Sequence, residues 1–550
     1  MRKIAVLSAS LLALIGCTSG NGALTIYQTE ALSQILSTDI VSEDSADTLH
    51  VARGENAVFQ FAVSAKDSLS SLEAEVSIKG LGEVQTGWVH DVLDLNPTRG
   101  ADDMLLTPDD RYPDPIFDDM PESVGAEGQR TLVTDIAIPR TVKSGIYKGK
   151  VTVSGNSSDG RKVSASKKFT IKVYPVDLPE KQNLKVVNWF SGASALSVMN
   201  GGKEVEPYSD EYMDLMRIIV RSGSAYGQNC WLMNDRPVPV LNADSTDFVL
   251  DFTFFDKFLG MIEEEGNLQY FCNSHLGGKI AVSTDEEMVF NIIYVEDKQL
   301  KYATVPSRDP KVEPFIRNYF TQIEAHFREK GWLEKCYQHI ADEPSRPGTE
   351  GQKSWSRVAA MVKKYAPGLR TIDASTEIIE NQDVSVLTLS DNVETNPPVP
   401  EGSERWMYTC CVPKLNFANR FVQLPLLKTR ILHWINYRFN ECGYLHWGYN
   451  QWQHSSDPLH DVTPYAHPNW PGGDAFIVYP GDRKAYPSIR LWAMRDGIRD
   501  YDLLKMVEAR DPEKAMQWCQ SVVLSSDKYN MDTKHFRQVR REILEYLSEF

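Results

Sequence analysis

The rhythm of the chain changes at Tyr174-Pro175-Val176-Asp177-Leu178-Pro179, and that change limits the folds open to it. Before the two prolines, short apolar runs alternate with turn clusters. Phe59-Gln60-Phe61-Ala62-Val63 alternates as a half-buried strand should. Similar runs lie at Val76 to Ile78, Leu132 to Ile138, Tyr147 to Val153 and Phe169 to Tyr174. Turn clusters such as Gly155-Asn156-Ser157-Ser158-Asp159-Gly160 separate them. Short strands at this spacing predict a β-sandwich over residues 24–178. Within it, Tyr112-Pro113-Asp114-Pro115 reads as a long ordered loop, because proline cannot donate to a sheet ladder.

After the prolines, strand-like runs alternate with amphipathic helices. The runs are Leu184 to Phe190, Ala225 to Leu232, Leu268 to Asn273, Cys336 to Ala341, Leu369 to Ile372, Val384 to Leu389, Arg405 to Thr409 and Gly443 to Trp447. Between them, Tyr212, Leu215, Met216 and Ile219 share one helical face; Ile316, Tyr319, Phe320, Ile323 and Phe327 share another. This order predicts a (β/α)8 barrel over residues 180–550. A doubly wound sheet is the alternative, but no glycine-rich phosphate turn follows the first run. Near the end, Phe536, Val539, Ile543 and Leu547 form a stripe that must pack on something, and the barrel is the available partner. The expected fold is therefore multidomain, β plus α/β: a sandwich, then a TIM-like barrel with a C-terminal helical extension.

The N-terminus reads as a leader. Arg2 and Lys3 precede an apolar run from Ile4 to Ile15, too short for a bilayer span of about 20 residues. Leu14-Ile15-Gly16-Cys17 resembles a lipobox, which predicts a signal peptide over 1–16 and acylation of Cys17. Thr18, rather than Asp, follows the cysteine, and no acidic cluster comes next; this favours the outer membrane and a periplasm-facing position over the cell surface. The formal net charge is −17, and removal of the leader makes it more negative still, so nucleic acid and anionic lipid are disfavoured partners. The other seven cysteines show no CxxC or His-rich spacing and read as small buried hydrophobes; no metal or cofactor is expected.

The sharpest feature is Tyr337-Gln338-His339-Ile340-Ala341-Asp342-Glu343-Pro344. An apolar strand ends in two adjacent carboxylates, at the end where a barrel carries its active site. Glycoside cleavage uses one protonated carboxyl and one ionised group. Consecutive residues cannot easily take opposite sides of a scissile bond. They can serve a substrate-assisted route, in which the 2-acetamido oxygen of the sugar attacks the anomeric carbon. Asp342 would then orient the amide, and the more distal Glu343 would act as acid and base.

These segments resemble glycoside hydrolase family 123 and a related group of domains of unknown function. The resemblance rests on Arg53 to Gln60, Tyr112 to Pro115, His339 to Pro344, Gly443 to Asn450, Asp474 to Gly481, Ser488 to Leu491 and Arg495 to Tyr501. It implies a retaining β-N-acetylgalactosaminidase that works through an oxazoline, and it implies the same roles for Asp342 and Glu343. Trp492 stands where relatives often carry an acid.

Further candidates for sugar contact are Asn188, Trp189, His275, Tyr408, Trp447 and Asn450, all near predicted strand ends. Tyr408 could donate to the acetamido oxygen. Asp373 reads as a cap for the turn after its strand, with an acid that supports the site from behind as the alternative, and Arg490 and Arg495 read as ties to acidic neighbours. The expected partner is a glycan with a terminal β-linked 2-acetamido sugar. Two other readings stay open: a non-catalytic glycan-binding lipoprotein, and a barrel hydrolase for another sugar.

Overall fold

The computed structural model describes residues 23–96, 101–278, 287–344, 348–395 and 398–549; the leader and Cys17 lie outside them. The N-terminal part forms two sheets. One has five strands, in the order Leu24–Thr29, Asn56–Ala65, Gly128–Ala137, Val84–Leu93 and Arg111–Phe117. The other has four: Leu49–Arg53, Lys162–Asp177, Gly145–Ser157 and Leu69–Ile78. Alternate apolar side chains from both sheets meet in one cluster. Phe59 of the first sheet and Phe169 of the second, for example, have ring centroids 4.5 Å apart.

The proline-rich segment departs from the expectation of a loop. Arg111–Phe117 is a strand, paired antiparallel with Val84–Leu93 at the edge of the five-stranded sheet. An edge strand has one side free of the ladder, so Pro113 and Pro115 are tolerated there. That outer side meets the barrel: the Ile116 N–H donates to the Pro487 carbonyl at 2.9 Å.

Eight parallel strands form the barrel sheet: β1 (Lys185–Asn188), β2 (Cys230–Met233), β3 (Tyr270–Asn273), β4 (Cys336–His339), β5 (Arg370–Ser375), β6 (Val384–Thr388), β7 (Glu404–Tyr408) and β8 (Gly443–His446). Each run predicted from the sequence overlaps one of them, although β2 starts later than expected because Ala225 still belongs to the preceding helix, Asp210–Ala225, and β5 runs on to Ser375. Ladder hydrogen bonds run from β1 through β8, β7, β6, β5, β4 and β3 to β2. The seam between β1 and β2 is bridged mainly by the side chains of Gln228 and Asn229, Gln228 meeting Asn188. Asn229 Oδ1 accepts from the Val186 N–H at 2.7 Å, and its Nδ2 donates to the Leu184 carbonyl at 3.1 Å.

Three elements stand out among those that apolar periodicity does not reveal. Helix Leu426–Arg438 buries twelve of its thirteen residues, charged ones included, so no polar face marks it. Hairpin Val238–Leu241 with Phe248–Asp251 and hairpin Val289–Glu296 with Gln299–Pro306 extend from the loops after β2 and β3. The second turns at Asp297 and Lys298, both at positive φ, as a two-residue hairpin loop requires, but without the usual glycine or asparagine.

The C-terminal helix Thr533–Leu547 buries Phe536, Val539, Ile543 and Leu547 as expected. It sits on both parts: the Arg540 guanidinium meets Asp500 of helix Ile489–Glu508 and Glu55 of the strand-rich part. The seven described cysteines are all free. Among the described residues, no helix is long and apolar enough to cross a membrane.

Candidate active site

Asp342 and Glu343 stand just beyond β4, at the C-terminal mouth of the barrel. β4 ends at His339, because the next two backbone N–H groups, of Ile340 and Ala341, donate to the Asp373 carboxylate in place of a ladder partner. Pro344 disfavours right-handed helical backbone at Glu343, which adopts φ 44°. Such a conformation costs a non-glycine residue about 1 kcal/mol or more.

The two carboxylates part company. Asp342, with its side chain 46% exposed, has Oδ1 3.9 Å from His275 Nε2, beside β3. Glu343 Oε1 accepts a 2.8 Å hydrogen bond from the Tyr408 hydroxyl at the end of β7, three strands away. Burial and the Glu343 charge push the Tyr408 phenol well above its ordinary range, so it remains a donor.

Beneath the pair lies a buried anion. Asp373, on β5, is fully buried. Its Oδ1 is 2.6 Å from His339 Nδ1 and 3.2 Å from His275 Nε2. Its Oδ2 accepts from the Ile340 and Ala341 backbone N–H groups at 2.8 and 2.9 Å, and from Trp355 Nε1 at 2.6 Å. Burial opposes the charge of Asp373, but the two histidines offset it and hold the carboxyl at about 2. Burial also opposes a charged His275; the hydrogen bond and charge of Asp373, with a smaller contribution from Asp342, win, and its pKa is raised. For His339, burial and the neighbouring His275 prevail, and its pKa is lowered. Asp373 is thus no turn cap. It fixes the backbone of residues 340–341, directly before the acid pair.

His275, His339 and Asp373 bring ligand-type atoms within 4.8 Å of one another. The 2.6 Å contact between His339 and Asp373 is a hydrogen-bond distance and leaves no space for an ion between them. The trio is accounted for as a hydrogen-bond network.

A barrel mouth bearing two adjacent acids, one backed by a histidine and one by a tyrosine, is the arrangement a glycosidase would use. The family model described as glycoside hydrolase 123, catalytic domain, matches residues 189–507. The chain belongs to glycoside hydrolase family 123.

Among solved structures, a family 123 glycoside hydrolase from Clostridium perfringens matches with a TM-score of 0.69 at 15% identity, over 96% of this chain and 97% of that one. It supports the fold of the family 123 chain through both parts. A GH10 xylanase from termite gut (TM-score 0.30, 9% identity, 84% of this chain and 100% of that one) and a β-D-glucuronidase from Dictyoglomus thermophilum (0.33, 9%, 86% and 68%) are too distant to add to this. A comparison with curated proteins found no match.

The remaining candidates in this family 123 barrel fall into two groups. Trp189, after β1, sets its ring edge-on to His275 and His339, with centroids 5.4 and 5.7 Å away. Trp447, after β8, is half-buried; its Nε1 donates to Asp474 Oδ2 at 3.0 Å. Trp447 heads an aromatic group that sequence reading missed: Trp470 lies 5.1 Å away edge-on, and His467 stacks on Trp470 at 3.8 Å. These rings come from an irregular loop, where no periodicity could announce them. Asp474 is buried, and burial raises its carboxyl to about 7.

Asn188 and Asn450 hold the rim from inside. Asn188 is buried, with Oδ1 accepting from Arg420 at 2.6 Å. Asn450 is buried too; its Oδ1 accepts from the Ser191 N–H at 2.7 Å, tying the loop after β8 to the loop after β1. Engaged this way, both amides brace the barrel mouth. The Tyr408 hydroxyl donates to Glu343.

Proposed function

We propose that the chain releases terminal β-linked N-acetylgalactosamine with retention of configuration, by substrate-assisted catalysis. The observation that carries this reading is the divergence of two consecutive carboxylates. Asp342 leans toward His275 and Glu343 toward Tyr408, so one strand end presents two acids with different neighbours. A conventional retaining pair places its carboxyls on opposite sides of the scissile bond, usually from separate strands. Two acids from one strand end fit a different division of labour. Asp342 orients the acetamido N–H and balances the charge of the cyclised intermediate. Glu343 protonates the leaving oxygen and then activates water. Trp189 and Trp447 supply ring faces for the sugar.

The Clostridium perfringens relative hydrolyses glycolipid glycans, and we extend a glycan substrate to this chain. Assays with aryl β-glycosides of N-acetylgalactosamine, N-acetylglucosamine and galactose test the reading. Turnover should be fastest with the first and absent with the last, and a thiazoline mimic of the cyclised sugar should inhibit. Comparable turnover of the 2-hydroxy sugar would overturn substrate assistance. Binding of oligosaccharide without any hydrolysis would make the protein a glycan-binding module instead.

We also propose export and anchoring through acylated Cys17 to the outer membrane, facing the periplasm. The leader and lipobox-like segment support this. Cys17→Ala should move the protein from the membrane fraction to the soluble fraction; unchanged fractionation would refute the anchor.

A further inference from the structure

Cys410 and Cys411 are the only adjacent cysteines in the chain. They follow β7 directly, two and three residues after Tyr408, whose hydroxyl holds Glu343. Access also sets them apart. Cys230, Cys272, Cys336 and Cys519 are buried, whereas Cys410, Cys411 and Cys442 are partly exposed. Cys442 lies at the other end of the barrel, where its N–H donates to the Arg405 carbonyl at 3.0 Å, near the start of β7. Among the described residues, the partly exposed thiols at the mouth are therefore these two.

Side chains of neighbouring residues in extended backbone point to opposite faces. The loop after β7 is bent instead, and it brings the two sulfurs together. The Cys410 N–H donates to the Val412 carbonyl at 2.7 Å, which folds residues 410–412 tightly. Asn419, fully buried, clasps the same loop: its Nδ2 donates to the Cys410 carbonyl at 2.9 Å and to the Pro413 carbonyl at 3.0 Å. In this bend the Cys410 thiol donates to the Cys411 sulfur. Cys410 packs against the apolar interior of the barrel, and Cys411 stands within electrostatic reach of Lys414 and the Glu343 carboxylate.

The two thiols are thereby unequal. The hydrogen bond from Cys410 pulls the Cys411 thiol below its ordinary range; burial, Asp474 and Glu343 oppose this, and Lys414 adds to it. The same hydrogen bond, together with burial, pushes Cys410 up. A ready thiolate beside a protonated thiol is the division of roles in dithiol redox chemistry, in which the first attacks and the second resolves.

We propose that Cys410 and Cys411 form a reversible redox site, which small disulfides oxidise to a vicinal disulfide and which thereby regulates the acid at Glu343. In the first step Cys411 gives up its proton, and its thiolate attacks one sulfur of the small disulfide. A bond forms between Cys411 Sγ and that sulfur, the S–S bond of the reagent breaks, and one small thiolate leaves. Cys410 then releases its proton to water, and its thiolate attacks Cys411 Sγ. The bond between Cys410 and Cys411 forms, and the second small thiolate leaves. The protein loses two electrons and two protons, and the reagent takes them up as two thiols.

The product ring contains the 410–411 peptide unit. Closure turns that unit, and the turn acts on the Cys410 N–H and carbonyl, which Val412 and Asn419 hold in the open dithiol. Tyr408 and Thr409 directly precede this point, so the ring displaces the phenol from Glu343. That consequence rests on the acid role proposed for Glu343; ring closure itself does not. The pair links the acid to the balance of disulfide and thiol around the protein.

The test equilibrates the full chain with mixtures of reduced and oxidised glutathione, alkylates the free thiols and maps the peptides by mass spectrometry. Oxidation should protect Cys410 and Cys411 together, with no glutathione retained, along a two-electron titration. Cys410→Ser should stop at a glutathione adduct on Cys411. Alkylation of both residues at every ratio, or an adduct that persists in the wild type, would overturn the site. A second arm follows turnover of an aryl β-N-acetylgalactosaminide across the same mixtures. On oxidation kcat should fall roughly 10- to 100-fold, the scale of a misplaced catalytic group, and dithiothreitol should restore it. A variant with both Cys410→Ser and Cys411→Ser should not respond. Unchanged kcat in the oxidised wild type would overturn the link to Glu343. A wild type that cleaves nothing in either state counts against the proposed activity, while the mapping arm still decides the disulfide.

Discussion

The Tyr408 hydroxyl donates to the Glu343 carboxylate at 2.8 Å, from three strands away around the barrel. The hydrogen bond holds a long side chain whose backbone is already at positive φ. In Tyr408→Phe the carboxyl loses that restraint. kcat with a poor leaving group should fall roughly 10- to 100-fold, the scale set by misplacement of a catalytic group, with a smaller change in KM. Steady-state kinetics will check this, and wild-type kcat would show that the contact does not position the acid.

Glu343→Gln keeps the shape and the acceptor for Tyr408 but cannot exchange a proton. Cleavage of an aryl N-acetylgalactosaminide with a poor leaving group should be abolished, and an activated leaving group should suffer less, because its departure needs little protonation. Equal losses on the two substrates would point away from an acid role.

Asp373 should matter for both stability and charge. Its folded-state pKa of about 2 lies below the ordinary 3.8, so its contribution is present above about pH 4 and disappears as pH falls toward 2. Asp373→Asn should cost about 2–3 kcal/mol at pH 7, measurable by denaturant unfolding. His275 has the opposite sign: its pKa is raised, so its contribution is present below the ordinary histidine pKa and is lost as pH rises through the folded value. Without the carboxylate, an NMR titration should find the His275 pKa lower than in the wild type; an unmoved titration would contradict the proposed coupling.

Asp474 behaves differently. Burial raises its pKa from 3.8 to about 7, so the folded state holds a proton that the unfolded chain has released between those values. Stability from this group therefore falls as pH rises from about 4 to about 7. Asp474→Asn retains an acceptor for Trp447 Nε1 and removes the titration. Its Tm should exceed that of the wild type at pH 7, by an amount on the order of 2–4 kcal/mol in stability, and the two should converge near pH 4. A parallel pH dependence for both proteins would refute the assignment.

The junction between the two parts depends on buried ion pairs. Arg490, nearly fully buried, donates through Nε to Asp114 Oδ1 at 2.9 Å and through Nη2 to Asp114 Oδ2 at 2.7 Å. Asp114→Asn leaves a buried guanidinium without its counter-charge and should cost about 3–5 kcal/mol. A thermal melt that shifts by less than a degree would show that the carbonyls of Gly473 and Phe476, which also accept from Arg490, suffice to hold it.

Arg490 and Arg495 were legible as ties to acids, but their partners, Asp114 and Asp135, lie hundreds of residues away. No local pattern could name them. Asp114 is hidden further by the prolines around it, which a strand tolerates here because it lies at a sheet edge. Asp373 failed for a similar reason. Read alone it is an acid near the end of a strand; only adjacency to β4 shows that it faces two histidines. Helix Leu426–Arg438 failed because burial on every side erases the amphipathic period that reveals a helix.

What the sequence determined by itself was local and periodic. The alternation of strands and helices dictated the eight barrel strands, since apolar spacing follows directly from backbone geometry. The order Ala341-Asp342-Glu343-Pro344 placed two acids just beyond the end of one of them. Tertiary structure decided how the two acids differ. Barrel closure sets β3 and β5 beside β4 and brings the end of β7 within reach, so that Asp342 stands near His275 and Glu343 meets Tyr408. Those neighbours come from distant parts of the chain, and hydrogen bonds and charges act through space rather than along the backbone.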